Sequence, residues 1–220
     1  KISPINPSEH PNKKLLLLFT GWGMDENPFK GYQIPDYDFM VVYDYSSLSF
    51  DYTCLKPYEE IIIVAWSMGV WAASQLLQDK NYPVMDSIAI NGTHFPVDDR
   101  KGIPTRIFAG TLNGLNENTL YKFRRRMCGS GDELKRFLDK APNRDIENLR
   151  EELDSIGKLS LNLPSSCFKW SRVYIGNQDK IFPVENQIAG WGEANYILTD
   201  EEHYSERLWR EIFNHKEQLS

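Results

Sequence analysis

The chain has 220 residues, 41% of them hydrophobic and 13% aromatic, with 25 Lys and Arg against 31 Asp and Glu for a formal net charge of -6. That length fits a single domain, residues 1–220, around one core, and the negative balance excludes a general nucleic-acid binder, which needs a basic face. No apolar run, residues 15–19 included, approaches the roughly 20 residues of a membrane span, so no membrane partner is expected.

Short β-branched and apolar runs alternate with longer segments of helical period, the pattern of an α/β fold with a mostly parallel sheet flanked by helices. Strands are predicted over 15–19, 39–43, 61–66, 87–90, 172–175 and 196–198. In open sheets of this kind ligands gather beyond the carboxyl ends of the strands, so the residues that follow each strand carry the functional information. In chain order they are Gly21-Trp22-Gly23, Asp44, Ser67, Asn91-Gly92-Thr93-His94, Gly176-Asn177-Gln178-Asp179 and Glu202-His203. Between the fourth and fifth of these strands lies an insertion, 95–167, rich in charge and with helical segments near 118–127 and 132–140. Loops of that length usually have a function. It reads as a helical cap or lid over the sheet's active edge; a pair of ordinary sheet-covering helices is the alternative.

Ala65-Trp66-Ser67-Met68-Gly69 joins the run Ile61-Ile62-Ile63-Val64 to the helical segment that starts at Val70. A serine pinned between a buried strand and a helix, with glycine two residues on, reads as the nucleophile elbow of an α/β-hydrolase, with Ala65 in place of the first glycine. The same serine also fits a helix N-cap. A serine hydroxyl needs a general base held by a carboxylate. His203 follows the last strand where such a base is delivered; His94 is the second candidate, while His10 and His215 sit near the termini. Ser67, Asp179 and His203 stand in the Ser, Asp, His chain order of this fold. Asp179 fits a turn-forming Asx contact as well. Asp44 is expected to brace the loop around the nucleophile. The backbone N–H groups of Met68 and Trp22 are placed to receive an oxyanion, with the Trp22 indole walling an apolar pocket.

Lys122-Phe123-Arg124-Arg125-Arg126 concentrates four cations on a chain of negative charge, and Lys135-Arg136 adds two. Such a cluster steers an anionic partner, unless it is a solvated face neutralised by Glu117, Asp132, Glu133 and Asp139. It lacks the interleaved aromatic platform of an RNA-binding pattern. The start at Lys1 lacks a signal-peptide pattern, which predicts no secretory leader. Cys54, Cys128 and Cys167 are odd in number and widely spaced, which suits reduced thiols in the cytoplasm better than a disulfide or zinc framework.

Taken together, Gly21-Trp22-Gly23, Ala65-Trp66-Ser67-Met68-Gly69-Val70-Trp71, Asn91-Gly92-Thr93, Gly102-Ile103-Pro104, Gly110-Thr111-Leu112, Glu117-Asn118-Thr119, Arg126-Met127-Cys128-Gly129, Asp179-Lys180-Ile181-Phe182 and Glu202-His203-Tyr204 resemble the BioG family. Its members are pimeloyl acyl-carrier-protein methyl ester esterases of bacterial biotin synthesis. The likeness runs from about residue 15 to about 209. It implies hydrolysis of the methyl ester that masks the far end of a pimeloyl chain on acyl-carrier protein. It maps the nucleophile onto Ser67, the acid onto Asp179, the base onto His203 and the oxyanion donors onto Trp22 and Met68, with no metal or organic cofactor. The carrier would dock on Lys122, Arg124, Arg125 and Arg126. With nothing before Lys1, a short N-terminal strand of that fold is expected to be missing. Two other functions fit the same residues: a general carboxylesterase or thioesterase for free small molecules, and a non-catalytic carrier-binding module on a hydrolase fold.

Overall fold

The computed structural model describes residues 1–5, 12–78 and 81–214, so His10 and His215 lie outside the described residues. Seven strands form one sheet in the order β1-β3-β2-β4-β5-β6-β7: β1 is Ile2–Pro4, β2 Lys14–Phe19, β3 Asp38–Val42, β4 Glu60–Trp66, β5 Val84–Ile90, β6 Arg172–Gly176 and β7 Ile197–Thr199. All pairs are parallel except β1 on β3. The six predicted strands are all present, with ends displaced by at most three residues.

One strand that the sequence pattern did not predict stands at the sheet's edge. β1 pairs antiparallel with β3, setting Ile2 opposite Val42. A three-residue edge strand containing Pro4 has too few residues to show a period, which is why the sequence pattern does not reveal it.

The sheet's centre explains its near-continuous apolar runs. Leu15 to Leu18 and Ile61 to Val64 are buried whichever way their side chains point, as strands covered by helices on both faces must be. Helices α1 (Met68–Leu77), α6 (Val184–Trp191) and α7 (Glu206–Asn214) follow β4, β6 and β7. Four helices lie between β5 and β6: α2 (Thr105–Asn113), α3 (Glu117–Cys128), α4 (Gly131–Leu138) and α5 (Ile146–Asn162). The expected helices near 118–127 and 132–140 are α3 and α4. Their starts are set by local chemistry: Asn116 and Thr119 form a reciprocal capping box on α3, and the Ser130 hydroxyl accepts the Glu133 N–H on α4. Among the described residues no helix is long and apolar enough to cross a membrane, and no cluster of three or more His, Cys, Asp or Glu side chains is arranged to hold a metal ion.

Candidate active site

Ser67 occupies the turn from β4 into α1 with φ 58° and ψ -128°. A non-glycine residue in that region is strained and persists only where its surroundings hold it. They do. The Ser67 N–H donates to the Ile90 carbonyl at the end of β5, and two glycines let the neighbouring backbone close in. A Cβ on Gly69 would stand 2.3 Å from the Phe19 carbonyl oxygen, and one on Gly92 would stand 2.3 Å from that of Ser67. Ala65, fully buried, keeps the same closeness on the strand side. Ser67 makes no capping hydrogen bond, so its hydroxyl is not spent as an N-cap.

That hydroxyl lies 3.0 Å from Nε2 of His203, whose Nδ1 lies 2.8 Å from Oδ2 of Asp179. All three residues are buried, with His203 only 2% exposed. Asp179 makes the contacts of both readings open to it. Its Oδ1 accepts the N–H groups of Ile181 and Phe182 in an Asx turn, at 2.8 and 2.9 Å, and that turn aims Oδ2 at the imidazole. The ring of His203 stacks on Phe182 and leans on Trp66. Its carbonyl accepts from the Trp66 indole at 2.7 Å and from the Asn91 amide at 3.0 Å. Asn91, at φ 48°, also accepts the Gly176 N–H, so one side chain ties the ends of β5 and β6 to the histidine loop.

The Met68 N–H opens α1, where the first turn leaves its donors without helical partners and the dipole favours an anion. Trp22 is fixed from the other side. Its indole N–H donates to the Leu149 carbonyl of α5 at 2.8 Å, and its ring packs edge-on against Phe123 of α3. The next N–H, that of Gly23, donates to the fully buried carboxylate of Glu152 on α5, which also accepts from the Tyr45 N–H and from Arg144 at 2.6 Å. Burial pushes the Glu152 carboxyl up, against the pull of Arg144 and these donors. Neither Glu152 nor Arg144 was singled out in the sequence, because a Glu in a charged helical run looks solvated until its helix is packed.

Asp44 is a correction. Rather than bracing the nucleophile's loop, it bonds Ser46 and pairs with Lys1 at 2.7 Å and Arg144 at 3.3 Å. Burial works against its charge, but the Lys1 and Ser46 hydrogen bonds and the Arg144 charge prevail and hold its carboxyl at about 2. His94 lies apart from the Ser67 hydroxyl's contacts, edge-on to Trp191 with Nδ1 unbonded, and burial pushes it down to about 4.

A small cavity of about 40 Å³ beside Ser67 is lined by Trp22, Met68, Phe108, Phe123, Leu153 and Ile181, among others. It shares Ile107, Thr111, Phe123, Arg126 and Lys180 with a groove of about 1040 Å³. Lys122, Arg125 and Arg126 line that groove, as their i, i+3, i+4 spacing on α3 requires. Arg124 does not: it lies over the Phe137 ring of α4. Among the described residues Lys122, Arg125 and Arg126 have no ion pair, whereas Arg136 is taken by Glu133 and Glu206. The groove also presents Arg106 and Lys180, cations outside the sequence cluster, and Lys180 lies 3.5 Å from Glu202.

Residues 6–218 match a family model described as pimeloyl-ACP methyl esterase BioG. A curated relative from Bacteroides fragilis (strain 638R), described as malonyl-(acyl-carrier protein) O-methyltransferase, is 55% identical over 201 residues, which is 90% of this chain and 41% of that protein; the chain thus spans about two fifths of its length. The crystal structure of BioG from Haemophilus influenzae is similar over 100% of this chain and 99% of that one, with TM-score 0.86 and 32% identity. A thermophilic esterase from Thermogutta terrifontis, 13% identical with TM-score 0.65 over 100% and 93% of the two chains, shares the fold. The chain therefore has the α/β-hydrolase fold and belongs to the BioG family.

Proposed function

We propose that this protein is a serine esterase that hydrolyses the methyl ester of pimeloyl-acyl-carrier protein, releasing methanol. One observation carries the reading: the unbroken path from the Ser67 hydroxyl through His203 to Asp179, at 3.0 and 2.8 Å, inside a member of the BioG family. His203 takes the proton of Ser67 as it attacks the ester carbonyl, and Asp179 keeps the imidazole's Nδ1 protonated and its Nε2 free to accept. The N–H groups of Met68 and Trp22 receive the oxyanion, each worth roughly 3 to 4 kcal/mol in the transition state. His203 returns the proton to the leaving methoxide, and water repeats the sequence on the acyl-enzyme.

Helices α2 to α5, within residues 95–167, act as the cap of this site. Phe108, Phe123 and Leu153 close the apolar cavity over Ser67, and the cations of α2 and α3 line its approach. An acidic carrier held on Lys122, Arg125 and Arg126 fixes how far the acyl chain reaches, so that the distal ester rather than the thioester meets the nucleophile. The Bacteroides fragilis relative is described as acting on an acyl-carrier-bound substrate, which supports a carrier-linked ester here.

The test is methanol release from methyl-pimeloyl carrier protein by the wild-type chain and by Ser67→Ala. Release that is abolished in the variant, and that weakens with added salt while hydrolysis of a small ester does not, supports the reading. Release that persists in Ser67→Ala, or a small ester preferred at every ionic strength, rejects it.

A further inference from the structure

Gln187 on α6 is fully buried, next to the proposed catalytic carboxylate. Its Nε2 donates to Asp179 Oδ2 at 3.0 Å and to the Phe182 carbonyl at 3.0 Å. The amide cannot be reversed, because its oxygen would then face two acceptors. Its Oε1 is left buried with no hydrogen-bond partner. An unpartnered buried amide oxygen destabilises a fold, and a Leu or Met of similar volume would fill the position without that penalty. Packing therefore does not explain a glutamine here.

We infer that Gln187 is a positioning residue: its amide shares Oδ2 of Asp179 with His203 and so sets how strongly the carboxylate draws on the imidazole. The inference rests on the reading of Ser67, Asp179 and His203 as a triad. With the amide in place, the negative charge of Oδ2 is divided between two N–H donors. With it removed, the whole of that charge falls on the His203 Nδ1 proton, the imidazolium is favoured, and the base is lost to protonation at higher pH.

The other charges around the pair are accounted for. The turn after β6 brings Lys180, which is 3.5 Å from Glu202, and the segment after β7 brings Glu201, paired with Arg207. Arg126 of α3 lines the cavity beside Ser67, and Glu185 on α6 is exposed. Gln187 is the neutral side chain bonded directly to the carboxylate oxygen that faces the histidine.

The experiment compares wild type, Gln187→Met and Gln187→Glu by the pH dependence of kcat/KM on a p-nitrophenyl ester and by the low-field proton NMR signal of the His203 Nδ1–H. Gln187→Met is expected to move the acidic limb of the profile up by roughly half to one pH unit, the worth of one hydrogen bond. Below that limb the shift reads as about a three- to tenfold loss, which closes as pH rises. Its thermal midpoint changes little, because the orphan oxygen is lost together with the two bonds that the amide makes. Gln187→Glu, isosteric and kept neutral over the acidic limb by burial beside Asp179, donates its carboxyl proton to Oδ2 as the amide does and moves the limb less than Met does. Gln187→Met shifts the Nδ1 proton signal. A merely structural glutamine predicts the reverse: a lower midpoint, an equal loss at every pH and an unmoved signal. An unmoved limb and signal in folded Gln187→Met overturns the inference and leaves the proposed function standing. The proton signal reports on His203 and Asp179 without substrate, so it decides the inference even if Ser67→Ala retains activity and the esterase reading falls.

Discussion

The carboxyl edge of the sheet and helices α2, α3 and α5 line the same cavity by different means. At the sheet edge, position comes from the strand ends: Ser67 is held by the Ile90 carbonyl and by the close passage of Gly69 and Gly92, and His203 by Trp66, Asn91 and Asp179, each just at or beyond the end of a strand. In the helical segment, position comes from side chains. The buried Glu152 carboxylate, which is paired with Arg144 and accepts the Gly23 N–H, and one indole hydrogen bond join α5 to the loop at 22–25, while Lys122, Arg125 and Arg126 of α3 stand toward an open groove. A rigid edge suits reacting atoms that must meet within a few tenths of an ångström. A helical cover suits recognition, which tolerates side-chain motion and depends on charge.

The largest test of that division is Ser67→Ala. Removing the hydroxyl is expected to lower kcat by about 10⁶-fold while the denaturation midpoint stays within experimental error, measured by methanol release and urea unfolding. Glu152→Gln probes the join between the two regions. It leaves Arg144 buried with only Asp44 as ionic partner, at a cost of about 3 kcal/mol of stability seen in the urea midpoint, and slows turnover by loosening the Gly23 backbone. A midpoint equal to wild type would mean that α5 is not anchored through this pair.

Charge reversal at the groove comes next in size. Lys122→Glu with Arg125→Glu is expected to lower kcat/KM for carrier-linked substrate roughly tenfold, chiefly at low salt, and to affect a small ester less. Equal losses on both substrates would remove the docking role. Arg124→Gln is the smallest and sharpens the comparison within one helix. Because Arg124 lies over Phe137 rather than in the groove, its loss is expected to change turnover by less than about twofold and stability by roughly 0.5 to 1 kcal/mol.

The alternation of apolar runs with helical periods was enough to read the parallel strands, and the residues after them were enough to find Ser67, Asp179 and His203 as candidates. Chain order supplied the check. Both signals are local: a strand buried on two faces must be apolar along its length, and a tight turn at its end must carry residues that tolerate it. Tertiary packing alone decided which neighbours those residues meet. Asp44 follows a strand just as Asp179 does, yet the fold gives it to Lys1 and Arg144. Arg124 and Arg125 are adjacent in sequence and face different surfaces. Glu152 and Gln187, unremarked polar residues in helices, become buried partners of the Gly23 N–H and the Asp179 carboxylate. Spacing along a chain reports on one element at a time, whereas the direction of a side chain, its burial and its partner are set where elements far apart in sequence come together.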